Sequence, residues 1–151
     1  MRIVIMGCGR VGAGLAADFS RDGNDVTILD TDASAFRFLP DDFNGIRVVG
    51  NGIDVDVLRR IRLDKADAFV SATRGDNRNV MAAQIAKHIF GVKVIASRVF
   101  DPLREEMYRN MGLRTINPTR VQTTRLKRVI EATSDEEANE MVHEFMRQDG
   151  Y

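Results

Sequence analysis

Short apolar runs alternate with longer amphipathic stretches from the start of this chain to about residue 118. Six of the runs read as strands: Ile3-Val4-Ile5-Met6, residues 25–30 around Val26-Thr27-Ile28-Leu29, Ile46-Arg47-Val48-Val49, Ala68-Phe69-Val70-Ser71, residues 92–97, and Arg114-Thr115-Ile116. Helical signals fill the gaps. Val11, Leu15, Ala16 and Phe19 form a stripe on a helix of about residues 10–22, which Asp22-Gly23-Asn24 ends. A short helix near 33–39 stops at Pro40, and another lies near 54–62. Asp76 is placed to cap a longer helix of about 77–90, where Val80, Ala83, Ile85 and Ile89 keep the period loosely before Gly91. Asp101-Pro102 opens a helix that runs to about 111.

The pattern changes beyond Pro118. Val121, Leu126, Val129 and Ile130 predict a helix to about residue 132, and Ser134-x-x-Glu137 is a capping-box start for another. In that last helix Ala138, Met141, Val142 and Phe145 fall on one stripe, which must cover either the chain's own core or a second subunit. Alternating strands and helices predict an α/β class fold, a Rossmann-like doubly wound parallel sheet of six strands in the order 3-2-1-4-5-6, followed by C-terminal helices. The expected organisation is a nucleotide-binding domain over 1–130 and an acidic C-terminal helix over 131–151, with no separate C-terminal lobe.

The 151 residues suffice for one core but leave no room for a second, substrate-binding domain. The formal charge is zero, from 22 basic and 22 acidic residues, so the whole chain does not advertise a nucleic acid or an anionic membrane as partner. The charge is uneven, net +6 over residues 1–130 and net −6 over 131–151. An acidic end of this kind reads as a solvated helix face, or as a segment that docks on a basic surface of its own chain or a neighbour's. One cysteine, no secretory signal and no apolar stretch of membrane-spanning length point to a cytoplasmic protein. A Cys₄ or Cys₂His₂ zinc site is excluded by count. His88 and His143 are isolated and read as helix-surface or partly buried residues, and no metal site is expected from them.

The chemistry concentrates in Gly7-Cys8-Gly9-Arg10-Val11-Gly12, which follows a strand and opens a helix. Gly7 permits the turn, Gly9 lets the backbone approach a pyrophosphate, and Gly12 lets the helix pack close to the strand, so the helix N-terminus presents N–H groups to phosphate. Asp30 closes the second strand 18 residues beyond Gly12, where a carboxylate accepts hydrogen bonds from ribose hydroxyls. That carboxylate disfavours a 2′-phosphate, hence NADP. Cys8, at the helix N-terminus, is expected to be a small side chain tolerated in a crowded loop, with a stabilised thiolate and redox sensing as the alternative.

Ligands of a doubly wound sheet bind outside the carboxyl ends of the strands where the strand order reverses. The candidates are therefore the residues just after each strand: the glycine loop, then Asp30-Thr31-Asp32, then Asn51-Gly52, then Ala72-Thr73-Arg74, and last Arg98. The Asn51 amide suits an adenine edge, and Arg10 and Arg98 suit phosphate.

With these residues assembled, the chain resembles the RCK or KTN (TrkA-N) domain of bacterial potassium transport systems, found in Trk and Ktr regulatory subunits and in ligand-gated potassium channels. The resemblance rests on the glycine loop, Asp30, Gly50-Asn51-Gly52-Ile53-Asp54, and Ala72-Thr73-Arg74-Gly75-Asp76-Asn77 with Asn79 leading into Ala82-Ala83-Gln84-Ile85-Ala86. Arg98-Val99-Phe100-Asp101-Pro102 and Gly112-Leu113-Arg114-Thr115-Ile116-Asn117-Pro118 complete it, over residues 1 to about 130. It implies a non-enzymatic regulatory subunit that binds an adenine nucleotide, ATP, ADP or AMP, or NAD or NADH, and gates a membrane potassium-translocating partner from the cytoplasmic side. It also implies a homodimer or a higher-order ring. Carried over by position, Asp30 would hold the ribose, Asn51 would lie near the adenine, and the glycine loop would hold the phosphates. Arg10 would reach toward a terminal phosphate, its own or a neighbour's, and Asn77 joins the site set on the same ground. Some members carry an acidic residue after the proline matching Pro118, where it helps bind a divalent cation; Thr119 stands there in this chain, which leaves magnesium doubtful.

Two other classes share this fold. A small NAD-dependent oxidoreductase would need a catalytic pair, yet no Tyr-x-x-x-Lys is present, Tyr108 being followed four residues on by Gly112. A redox-sensing DNA-binding regulator would need a basic recognition module that the chain lacks.

Overall fold

The computed structural model describes residues 1–149, which fall into two compact units that divide between Ile116 and Asn117. The first unit is a six-stranded parallel sheet built from β1 (Arg2–Met6), β2 (Asp25–Asp30), β3 (Ile46–Val49), β4 (Ala68–Ser71), β5 (Val94–Arg98) and β6 (Arg114–Ile116). Its order is β3-β2-β1-β4-β5-β6, so the doubly wound expectation holds. The helices are α1 (Arg10–Arg21), α2 (Val55–Arg60), α3 (Asp76–His88) and α4 (Pro102–Asn110), with short 3-10 turns at Ala33–Phe38 and Leu63–Lys65.

Alternation along the strands divides the core into two layers. Ile3 and Ile5 of β1 join Val26, Ile28, Ala13 and Ala16 on one side of the sheet, while Val4 and Met6 join Leu58, Phe69, Ala83 and Tyr108 on the other. Burial on both faces explains why the central strands are apolar without interruption. β1 lies between β2 and β4, with Val4 opposite Thr27 on one side and Phe69 on the other. The chain order therefore reverses between β1 and β4, and the loops that leave those strands diverge.

Three local expectations need correction. Val11 is 48% exposed, and the buried face of α1 is instead Gly12, Ala13, Ala16 and Ala17. These small residues bring the helix axis close to the sheet, while the larger Leu15 and Phe19 pack at its margin. Asp76 does not cap α3: Gly75 is the N-cap, and the Asp76 carboxylate accepts the N–H groups of Phe100 and Asp101, each at 2.9 Å. In α3 the buried positions are Asn79, Val80, Ala82, Ala83 and Ala86, with Ile89 exposed, because the polar Asn79 occupies the inward face. Asp101 does open α4 as its N-cap, and Asp54 caps α2.

In the second unit, α5 (Pro118–Ile130) is capped by Asn117, whose Oδ1 accepts the Arg120 N–H at 2.9 Å. α6 (Asp135–Gln148) begins at Ser134, whose hydroxyl accepts the Glu137 N–H at 3.1 Å. The Glu137 carboxylate turns back to the N–H and hydroxyl of Thr133, both at 2.7 Å, one residue earlier than a standard capping box. The stripe of α6 meets α5: Phe145 is buried beneath the guanidinium groups of Arg125 and Arg128, at 5.1 and 5.0 Å from its centroid. Arg125 pairs with Asp149, and Arg128 with Glu144 at 3.6 Å, so part of the acidic end is matched by basic residues of its own unit.

Candidate functional site

The loops at the carboxyl ends of β1 to β5 border one cleft of about 700 Å³ at the point where the strand order reverses. Its floor is the glycine loop. Gly7 has φ +101°, a region that L side chains rarely enter, and a Cβ there would stand 3.0 Å from the Thr73 backbone nitrogen. Gly12 lies beneath the loop, where a Cβ would be 1.8 Å from the Gly7 carbonyl oxygen, so α1 can start this close to β1 only with glycine. Gly9 is different: a Cβ would meet nothing within 4 Å. It is the N-cap of α1 and offers no side-chain acceptor, so the first N–H groups of that helix are left for an anion in the cleft.

Asp30, at the end of β2, holds this loop in place. Its Oδ2 accepts the Cys8 N–H at 2.7 Å and its Oδ1 accepts the Asp32 N–H at 3.0 Å. Each carboxylate oxygen keeps a second acceptor site, enough for a ribose diol. Asp32 is itself engaged with Ser34, whose hydroxyl, and then its N–H, hold the Asp32 carboxyl below the usual carboxylate range. The Cys8 thiol packs into the core with Ile3, Ile5 and Ala13 and has no exposed surface. Burial, then the nearby Asp30 carboxylate, push it up to about 11, which corrects the thiolate alternative: the desolvation of the sulfur outweighs the helix N-terminus.

On the β3 side, Gly52 lies against Met6, since a Cβ would fall 2.2 Å from its Sδ. The exposed Asn51 uses its Oδ1 on the Ile53 N–H at 3.3 Å and keeps its amide N–H₂ for a ligand.

The β4 and β5 ends are tied together by Asn79, which sequence reasoning did not assign a role. It is fully buried and saturated. Its Oδ1 accepts the Thr73 N–H at 2.9 Å and the Thr73 hydroxyl at 2.6 Å, while its Nδ2 donates to the carbonyls of Thr73 and Arg98, both at 2.9 Å. Beneath it, the Ser71 hydroxyl donates to the Asn79 carbonyl and lies 2.9 Å from Ser97 Oγ. Arg98 donates from Nη2 to the Thr73 carbonyl at 2.7 Å and stacks over Phe100 at 4.5 Å. Its Nε is buried without a hydrogen-bond partner. Burial, and the charge of Arg74, lower the Arg98 pKa from the ordinary arginine value, with Asp76 opposing.

Every residue expected in the site lines this cleft except Gly12, which supports the loop from below, and Asn77, whose Oδ1 is taken by Arg104 at 3.2 Å. Arg37, Phe38, Arg78 and Phe100 line it as well and were not foreseen. Arg78 carried a signal: a cation in the first turn of a helix opposes the helix dipole. His88 and His143 are exposed and lie outside the cleft. Among the described residues no group of three or more His, Cys, Asp or Glu side chains could hold a metal ion, and no helix is long and apolar enough to cross a membrane.

Comparison with known proteins agrees with this geometry. The TrkA-N domain model matches residues 3–118. The Trk system potassium uptake protein TrkA of Streptomyces coelicolor is 44% identical over 120 residues, covering 80% of this chain and 54% of that protein. A TrkA homolog of Methanothermobacter thermautotrophicus is 33% identical over 131 residues, covering 86% of this chain and 60% of its own length. The chain thus spans somewhat more than half of these relatives. Among solved structures, GsuK bound to ADP superposes with a TM-score of 0.73 at 21% identity, over 86% of this chain and 34% of that one. The Shewanella denitrificans Kef C-terminal domain in its AMP-bound form gives 0.71 at 20%, over 99% and 93%, and the GsuK channel bound to NAD gives 0.67 at 19%, over 80% and 22%. At these identities the structures share the fold. By the domain match and by its similarity to the curated relatives, the chain belongs to the TrkA-N family.

Proposed function

We propose that this chain is a nucleotide-sensing regulatory unit of a potassium transporter or channel, with residues 1–130 forming the nucleotide-binding part. The observation that carries this reading is the convergence of an uncapped helix N-terminus, the Asp30 carboxylate and the Thr73–Arg98 wall on one cleft at the switch point. The donor set fits an adenine nucleotide. Asp30 would take the ribose hydroxyls, Asn51 the adenine edge, and the α1 N–H groups with Arg10 and Arg98 the phosphates. Family membership supports a cytoplasmic position beside a membrane potassium-translocating subunit, and the bound states named for the structural neighbours support an adenine nucleotide as signal.

The reading is of a switch and not a catalyst. Among the described residues that line the cleft the ionisable side chains are Asp30, Asp32, Cys8 and arginines, with no His, Tyr or Lys to pass a proton to or from a substrate. A bound nucleotide acts by its differential affinity for two states of the assembly, and contacts shared by loops from five strands give it a means to bias them. The test is calorimetric titration with ATP, ADP, AMP, NAD and NADH, with and without magnesium, with recovery of the nucleotide and light scattering on the same samples. Binding with the nucleotide recovered unchanged, and a nucleotide-dependent change in assembly or in retention on vesicles bearing a Trk-type potassium-translocating subunit, is expected. Hydride transfer or hydrolysis would overturn the reading.

A further inference from the structure

The end of the sheet opposite the nucleotide cleft carries a second concavity, of about 880 Å³, where the last turns of α3 and α4 meet the first residues of β5 and β6. Its ionisable lining is all of one sign. Lys87 lies in the last turn of α3 and Arg109 in that of α4, Lys93 precedes β5, and Arg114 opens β6; among the described residues that line it there is no carboxylate. The acids of α4, Glu105 and Glu106, are not part of the lining, and Glu105 is buried with the Thr115 hydroxyl on its Oε1. The Lys87 ammonium donates to the Gly112 carbonyl at 3.0 Å. Lys93, Arg109 and Arg114 make no ion pair or side-chain hydrogen bond among the described residues.

The helix dipole accounts for two of the four, because a cation in the last turn faces the negative end of its helix. It does not account for Lys93 and Arg114, which stand at strand starts and share the concavity with two like charges. The same end of the fold exposes apolar surface. Ile89 at the end of α3, Val94 at the start of β5 and Met111 at the end of α4 are 48–59% exposed. Each lies within two residues of a lining cation, respectively Lys87, Lys93 and Arg109. Cations that reach headgroup phosphates, beside apolar side chains that enter the acyl boundary, are the chemistry of an interfacial membrane contact.

We infer that this end of the sheet is a membrane-facing surface, and that its concavity receives the phosphates of anionic phospholipid headgroups. The inference takes from the proposed function only the position of the chain beside a membrane. A soluble phosphate compound leaves the apolar rim without a use. A cytoplasmic loop of a membrane subunit, characteristically rich in Lys and Arg, repels the lining, whereas the anionic inner leaflet attracts it. The zero net charge of the chain is no obstacle, since the attraction acts within a Debye length of about 8–10 Å. The nucleotide cleft lies at the carboxyl ends of the parallel strands and this surface at their amino ends, so lipid and nucleotide bind independently.

The test is sedimentation of the full chain with vesicles of phosphatidylcholine alone and of phosphatidylcholine with phosphatidylglycerol, at low and high salt, alongside melting and ADP titration of every variant. The wild type is retained by the anionic vesicles and not by the neutral ones, and high salt releases it. Lys93→Gln/Arg114→Gln weakens retention by about fivefold for each cation removed. Arg21→Gln/Arg59→Gln, the same change of net charge made on α1 and α2 outside the concavity, leaves it close to wild type. Met111→Ser weakens it with no change of charge. Absence of retention for the folded chain, equal losses in the two double variants, or retention only where neutral vesicles carry a potassium-translocating subunit would overturn the inference. So would binding of inorganic phosphate to the concavity without retention on vesicles. Each of these results leaves the nucleotide reading intact, since failure of that reading shows in the ADP titration instead.

Discussion

The backbone N–H of Cys8 donates to Oδ2 of Asp30 at 2.7 Å, so the acid at the end of β2 fastens the glycine loop at the end of β1. On the proposed reading, one carboxylate would both shape the phosphate floor and take the ribose. Replacing Asp30 by alanine removes the Cys8 and Asp32 contacts together, at a cost of about 1–2 kcal/mol in urea-induced unfolding. Every ribose-bearing ligand should bind the variant more weakly. A 2′-deoxyadenosine nucleotide separates the two roles: it binds the wild type less well than its ribose form, and the variant binds the two forms equally. A wild type indifferent to the 2′-hydroxyl would leave Asp30 as a loop clamp alone.

Gly9 and Gly12 give opposite expectations from the same substitution. Gly12→Ala forces a Cβ against the Gly7 carbonyl, a backbone atom that cannot step aside, and is expected to cost about 1–3 kcal/mol or more. Gly9→Ala meets no protein atom within 4 Å at a φ of −81°, so its unfolding midpoint stays close to wild type. Its nucleotide affinity drops, because the methyl occupies the approach to the helix N-terminus. Equal stability losses in the two variants would contradict the packing described for the loop.

Asn79→Ala removes, at a fully buried position, the partner of the Thr73 N–H and hydroxyl and one donor to each of the Thr73 and Arg98 carbonyls, the Thr73 carbonyl keeping Arg98 Nη2. A loss of about 2–4 kcal/mol in chemical denaturation is expected, and weaker nucleotide binding with it, since the β4 and β5 loops lose their common tie. A near-neutral substitution would show that the network contributes little.

Cys8 is expected to be inert in the native state. Its raised pKa means that the folded chain holds the thiol proton more tightly than the unfolded chain does. The contribution is complete below 9.0 and is lost as pH climbs from 9.0 toward about 11. Thiol reagents at pH 8 should label Cys8 only on unfolding, and Cys8→Ala should lose the part of the alkaline decline in stability that the thiol causes. Rapid native labelling would restore a redox role.

The sheet was legible because its central strands, buried on both faces, appear in sequence as short apolar runs; the strand order followed from strand–helix alternation. The glycine loop and Asp30 were legible because the constraints on Gly7, Gly12 and the acid are local to one strand–turn–helix–strand unit. Asn79 and Asp76 were not. Asn79 looks like a flaw in a helical stripe, and Asp76 like a cap, until the ends of β4 and β5 come together and supply partners about 20 residues away. Val11 failed for a related reason. It keeps the helical period, but the close approach of α1 through Gly12, Ala13, Ala16 and Ala17 turns it toward the cleft instead of the core.

The most direct test of the central claim is a titration of the uniformly ¹⁵N-labelled chain with ADP, followed through its backbone amide resonances. The account predicts saturable shifts gathered at residues 7–12, 30–32, 51–52 and 72–74, with Arg98 and its neighbours. Shifts absent from these amides, or concentrated at the opposite edge of the sheet around Lys87, Lys93 and Arg114, would contradict it.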